Sequence, residues 1–302
     1  MSAPPTLQPD APARQGAGRL SAADWRALAD AHRERADALT AGHRARRGTG
    51  DRHAVEDFLH EYYGVRPALL ARWHPGAGTA LLPGPEGPAP HAGWRWYRDD
   101  DGAATLDVGA FLADRGDTVR YVHGLLEATA SRPAHLGCLG LHEWAMVYRR
   151  DDALRHDLPL RLGRAGTDAV VERHTIRCSH IDAFRFFTPE AVPRNQLTPT
   201  RETQAATEQP GCLHANMDLL KWSLKLGPLV PGDLLLDAFA LAAEIRRLDM
   251  QASPYDLSSL GEAPVAIETA EGKAEYVRRQ RAHAEAAAPL RARLAAVCAA
   301  VL

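Results

Sequence analysis

No apolar run in the sequence approaches the ~20 residues that a membrane-spanning helix requires, which argues against an integral membrane protein. Cysteine is scarce, with four in 302 residues and none in a close C-x2-C pair, so neither a disulfide framework nor a paired-cysteine zinc site is expected. Charge of one sign is missing too. Lys plus Arg number 36 against 38 Asp plus Glu, which denies the chain a global positive field for recruiting nucleic acid, so DNA would have to meet a local basic face. The first residues, MSAPPTLQPDAPARQGAG, lack the apolar centre of a secretory signal. Residues 1–20 therefore read as a disordered leader, and a reducing, cytoplasmic setting is expected. No repeat of fixed period is present.

What remains is the composition of an ordinary globular chain, 45% hydrophobic and 25% charged, and long enough to bury a substantial core. Ser21 followed by Asp24 and an Ala- and Leu-rich stretch predicts a helix from Ser21 to about Arg47. Further helices are expected at His53–Tyr63, across RPALLARW, over Val108–Thr129, at Leu141–Arg149, His214–Leu226 and Gly232–Met250, and from about Glu271 onward. The Gly- and Pro-rich stretch 75–90 is expected to be loop, WRWYRDDDGAATL a hairpin, and Asp168–Phe187 a strand because it is rich in β-branched and aromatic residues. The expected fold is mainly α with a small β-sheet, an α+β class, in one large helical domain spanning 21–302.

Three segments share one composition: GCLGLHEW, RCSHIDAF and GCLHANMD. In each, a cysteine (Cys138, Cys178, Cys212) stands two to four residues before a histidine (His142, His180, His214) with a carboxylate close by (Glu143, Asp182, Asp218). On a strand, Cys178, His180 and Asp182 would share a face and could hold one metal ion between them. On a helix, Asp218 lies one turn beyond His214. Imidazoles joined by carboxylates suit a divalent metal, zinc or iron, with a position left open for water or substrate. His142, His180 and His214 are thus the candidate ligands, and Glu143, Asp182 and Asp218 the candidate acid–base groups. Burial as ordinary core is the competing reading, since cysteine beside Leu and Gly is commonly a small interior residue.

Aromatic side chains interleave with these segments, and Trp144, Phe184, Phe186, Trp222 and Tyr255 could line a pocket that stacks a planar molecule. Core packing accounts for the same pattern. Arg177 lies in a locally basic stretch, and Lys273, near Glu268, could meet an anion. The expected partner is a small, nucleobase-like substrate.

At LGLHEWAMVYR, CSHIDAFRFFTPEA, EQPGCLHANMDLLKW, LDMQASPYDL and IETAEGKAEYV the chain resembles a family of actinobacterial proteins that carry the name 3-methyladenine DNA glycosylase, over a span from about His53 to the last helix. That resemblance implies DNA repair by release of alkylated bases. The helix-hairpin-helix glycosylases carry L-P-G-x-G before their catalytic Asp, and LLPGPEGPAP departs from it by inserting Pro and Glu. Three functions therefore stand as expectations: a metal-dependent hydrolase or oxygenase, a metal-free DNA N-glycosylase, and a non-catalytic small-molecule binder.

Overall fold

The computed structural model describes residues 18–150, 154 and 156–302. Its helices are α1 (Ala22–Thr49), α2 (Phe58–Glu61), α3 (Pro67–Leu70), α4 (Val108–Ala130), α5 (Leu141–Ala145), α6 (Gly163–Arg173), α7 (Ile181–Phe184), α8 (Gln204–Thr207), α9 (Leu213–Leu226), α10 (Gly232–Gln251) and α11 (Ala270–Ala299). Four short strands, β1 (Gly18–Leu20), β2 (Thr79–Leu81), β3 (Tyr97–Asp100) and β4 (Ala103–Leu106), form one sheet in the order β1-β2-β4-β3. The mainly helical α+β class holds. No helix among the described residues is long and apolar enough to cross a membrane.

Local chemistry explains the elements that the pattern foretold. The Ser21 side chain accepts the Asp24 N–H and caps α1, and Gly50, left-handed at φ 79°, closes it. Asp101 and Gly102, with φ of 51° and 81°, make the two-residue turn that joins β3 to β4 antiparallel. α9 and α10 form an antiparallel pair across the Gly227–Leu229 turn, and α11 packs along α4, α9 and α10. Leu213, Met217 and Leu220 of α9 meet Leu234, Phe239 and Ile245 of α10 and Leu290 and Leu294 of α11 in one core.

Several expectations are corrected. The expected leader over 1–20 ends in structure, because Gly18–Leu20 is β1, paired parallel with β2; residues 1–17 lie outside the described residues. The expected loop over 75–90 therefore contains a strand. Asp168–Phe187 is not a strand: its first part lies in α6 and its last in α7, with an extended connection between. The reason is spacing, because Thr167, Val170 and Val171 fall on one helical face and all three are buried, so packing overrides β propensity. Leu141–Arg149 keeps helix only to Ala145, and Arg149 turns left-handed at φ 49°.

His53–Tyr63 shortens to the single turn α2, and Asp57 is the cause. Its carboxylate takes the His53 N–H at 2.8 Å, Arg46 at 2.7 Å and His43 Nδ1 at 2.9 Å, tying this turn to α1. Burial works against the charge, yet the bonds from Arg46, His43 and His53 outweigh it and hold the carboxyl at about 2. Asp57 therefore stabilises the fold above its unfolded value of 3.8, and that contribution is lost as pH falls through about 2. Asp57→Asn is expected to lower stability at neutral pH and to flatten the acid limb of a stability–pH curve between those values.

Candidate metal centre

α9 is buried almost all round, including His214, Asn216 and Asp218 on its polar positions. Polar groups in such a helix must find partners inside the protein. Asn216 accepts from Arg291 of α11 and donates to the Pro210 carbonyl, and four other elements surround the rest: α5 brings His142 and Glu143, His180 precedes the start of α7, Glu208 ends α8, and α10 carries Arg246 and Asp249 one turn apart. The three histidines, far apart in sequence, stand side by side. The His142 and His214 rings meet edge to face at 4.5 Å between centroids, and His214 lies 5.4 Å from His180.

Two buried groups of metal-ligand type result, His142–His214–Asp249 and His180–Glu208–Asp218, each with its ligand atoms within 4.8 Å of one another. They differ in how far they are already satisfied. His142 Nε2 bonds Asp249 Oδ1 at 2.8 Å, and its Nδ1 faces Cys138 Sγ at 3.7 Å. His180 Nε2 lies 3.2 Å from Glu208 Oε1 and 3.3 Å from Asp218 Oδ2, yet it is aligned for a hydrogen bond with neither, and its Nδ1 also has no partner. The angles decide here: these distances are those of an ion pair, while the ring aims between the two carboxylates.

Supporting bonds fix the carboxylates. Asp218 Oδ1 accepts from Tyr63 at 2.8 Å and its Oδ2 from Lys221 at 2.9 Å; Glu208 accepts from Gln204 at 2.5 Å, and Gln204 from Tyr121 at 2.9 Å. Arg246 joins Asp249 and Glu143, at 2.9 Å each.

The proton affinities follow from these contacts. Burial opposes a charge on His142 and on His180, but Asp249 raises the first well above its ordinary value, and Glu208 and Asp218 raise the second to about 9. His214 has no carboxylate bond; burial, aided by the charge on His142, lowers it to about 3 and keeps it neutral. Asp218 and Asp249 are held well below the usual carboxylate range, against the effect of burial, chiefly by His180 and His142. Burial pushes Cys178 up to about 11 and Cys212 higher than usual, so both are neutral thiols.

The remaining expected site residues scatter. Asp182 does not join His180 on one face. His180 precedes a helix rather than lying in a strand, and Asp182 pairs instead with Lys221 at 2.7 Å and Arg201 at 2.5 Å. Trp144 is fully buried with its indole N–H on the Ala252 carbonyl, and Trp222 packs edge-on against Tyr121. Phe184 lies against Phe187, and Tyr255 belongs to a separate cluster with Val147 and Met250. Arg177 is exposed, and Lys273 sits half-buried in the first turn of α11. Glu268 is clasped by Arg161 at 2.6 and 2.9 Å.

Phe186 of the aromatic set lines a cavity of about 420 Å³ with Arg149, Arg150, Phe187 and Glu190. A second, of about 250 Å³, lies between α1 and α10 at His43, His60 and Phe239. Neither is lined by the cluster histidines. The sequence reading missed Glu208, Asp249, Arg246, Lys221 and Tyr63. Asp249 was open to detection, since it stands between Leu248 and Met250 on the apolar face of a helix, where a charge needs a partner.

Fold and centre define a mainly helical α+β protein with two buried histidine–carboxylate groups that could hold a metal ion. No family model, no curated protein and no solved structure matches the chain.

Proposed function

We propose that the protein is a metal-dependent enzyme, a hydrolase or oxygenase, acting on a small nucleobase-like molecule, and that His180, Glu208 and Asp218 hold its divalent ion, zinc or iron. One observation carries the reading: a fully buried imidazole with both nitrogens unbonded, its Nε2 between two carboxylate oxygens. An unsatisfied buried polar group is costly, and a cation at that point would satisfy imidazole and carboxylates together. Tyr63, Gln204 and Lys221 act as the supporting shell that orients such ligands.

A bound ion would supply Lewis acidity and an acidified water. The chain's own residues do the rest. Neutral His214, beside His180, can complete the ligand set. Lys221, bridging Asp182 and Asp218, balances charge at the rim.

Elemental analysis of protein purified without a histidine tag tests this. Near-stoichiometric zinc or iron is expected, and a metal-free, folded, active preparation would exclude it. The resemblance noted in the sequence makes alkylated purines the first substrates to assay. Base release from methylated duplex DNA in the presence of a chelator would favour the metal-free glycosylase instead.

A further inference from the structure

The two buried groups are chemically unlike, and the difference assigns the first a separate task. We propose that Cys138 is a nucleophile, with His142 as its base and Asp249 as the residue that positions the base, and that it attacks the acyl carbon of an ester or thioester. This stands apart from the metal reading, because Cys138, His142 and Asp249 are not among the three ligands proposed there.

The relay is continuous. Cys138 Sγ lies 3.7 Å from His142 Nδ1, and His142 Nε2 lies 2.8 Å from Asp249 Oδ1. With its Nε2 on a carboxylate, the ring turns Nδ1 toward sulfur, and Asp249 stabilises the imidazolium that taking the thiol proton produces. Arg246 holds the other Asp249 oxygen and locks the dyad against α10. Unlike His180, His142 has both nitrogens engaged, which suits proton transfer more than ligation. The adjoining His214 ring, nine-tenths buried, stands edge to face with His142 and borders the same group.

Cys138 also differs from the other cysteines, for Cys178, Cys212 and Cys298 are buried and Cys138 is not. It sits on a strained turn. Leu139 and Gly140 are both left-handed, at φ 50° and 68°, and a non-glycine residue there is held at a cost by its surroundings. A Cβ on Gly140 would come within 3.2 Å of Ala252 and 3.4 Å of Tyr276, so glycine lets this turn seat the thiol against α10 and α11.

The reaction balances without a further reagent. The thiol proton moves to Nδ1 as sulfur bonds the acyl carbon. The bond from that carbon to the leaving oxygen or sulfur breaks, and the proton on Nδ1 passes to the leaving group. Water then adds to the acyl carbon, the C–S bond breaks, the acid departs and a proton returns to sulfur.

The full chain treated with p-nitrophenyl acetate tests the assignment. A nitrophenolate burst is expected, with acetyl mapped by mass spectrometry to Cys138 and the other thiols acetylated far more slowly. Cys138→Ser should abolish the burst. Asp249→Asn should slow acylation by roughly a hundredfold, the scale of general-base assistance, while Asp249→Glu recovers part of it, which loss of a merely structural contact would not predict. Should Asp249→Asn fail to fold, His142→Gln provides the same reading. Equal acetylation of all thiols, a burst that survives Cys138→Ser, or reactivity that emerges only after chelation, which would make the thiol a metal ligand, overturns the proposal.

Discussion

His180→Ala is expected to leave the helical framework standing and to abolish binding of the proposed divalent ion. The substitution removes no aligned hydrogen bond, because neither ring nitrogen makes one. It does remove the imidazole that lies between Glu208 and Asp218. Competition with a chromogenic chelator should show affinity falling by more than the ~10–100-fold that follows loss of a supporting hydrogen bond. Gln204→Leu, which releases Glu208 without touching a ligand, should fall inside that range. An unchanged metal content in His180→Ala would remove the site.

The same residue gives the metal-free protein a pH signature. Its folded value of about 9 exceeds the unfolded 6.5, so protonated His180 stabilises the fold fully below 6.5, and that stabilisation is lost as pH rises toward 9. Metal binding replaces the proton. Thermal unfolding from pH 6.5 to 9 should therefore show a falling midpoint without metal and a flatter one with it.

Arg246→Met is expected to produce the largest loss of stability of any single change in the centre. The guanidinium is 1% exposed, bonds Glu143 and Asp249 together, and lies over the Phe58 ring at 3.9 Å. Methionine fills the volume but leaves the buried carboxylates of Glu143 and Asp249 without the guanidinium between them. Removing one partner of a buried ion pair typically costs about 3–5 kcal/mol. Urea unfolding at neutral pH should show a loss of that order, and the triple variant that also carries Glu143→Gln and Asp249→Asn should recover part of it. A loss within the scatter of surface substitutions would mean that water, not Arg246, balances those acids. Asp249 also predicts an acid limit, since a carboxyl held below its ordinary 3.8 stabilises the fold above that value and ceases to as pH falls beneath it.

How far each feature could be read beforehand depended on the range of the forces that set it. α1, α4, α9, α10 and α11 were legible because caps such as Ser21 and apolar spacing over several turns are local. The Asp101–Gly102 hairpin was legible for the same reason. α6 was misread because the β-branched pair Val170–Val171 argues for strand until its burial against the core is known. β1 and β2 were invisible because three-residue strands carry no periodicity, and their pairing joins Gly18 to Thr79.

In the centre, composition alone singled out His142, His180, His214 and Asp218, since histidine beside cysteine and acid recurs three times in a chain poor in cysteine. It could not separate Asp182, which turns to Lys221 and Arg201, from Glu208 and Asp249, which turn inward. Nor could it tell that Trp144 and Trp222 are core. Sequence by itself fixed the helical class, the main helices and the identity of the clustered imidazoles, because capping and patterning act within a few residues. Tertiary structure alone decided which acids meet which histidines, which nitrogens go unsatisfied and which thiol is only partly buried. Those outcomes depend on contacts between residues as far apart as His142 and Asp249, whose geometry exists only once α5 and α10 have packed.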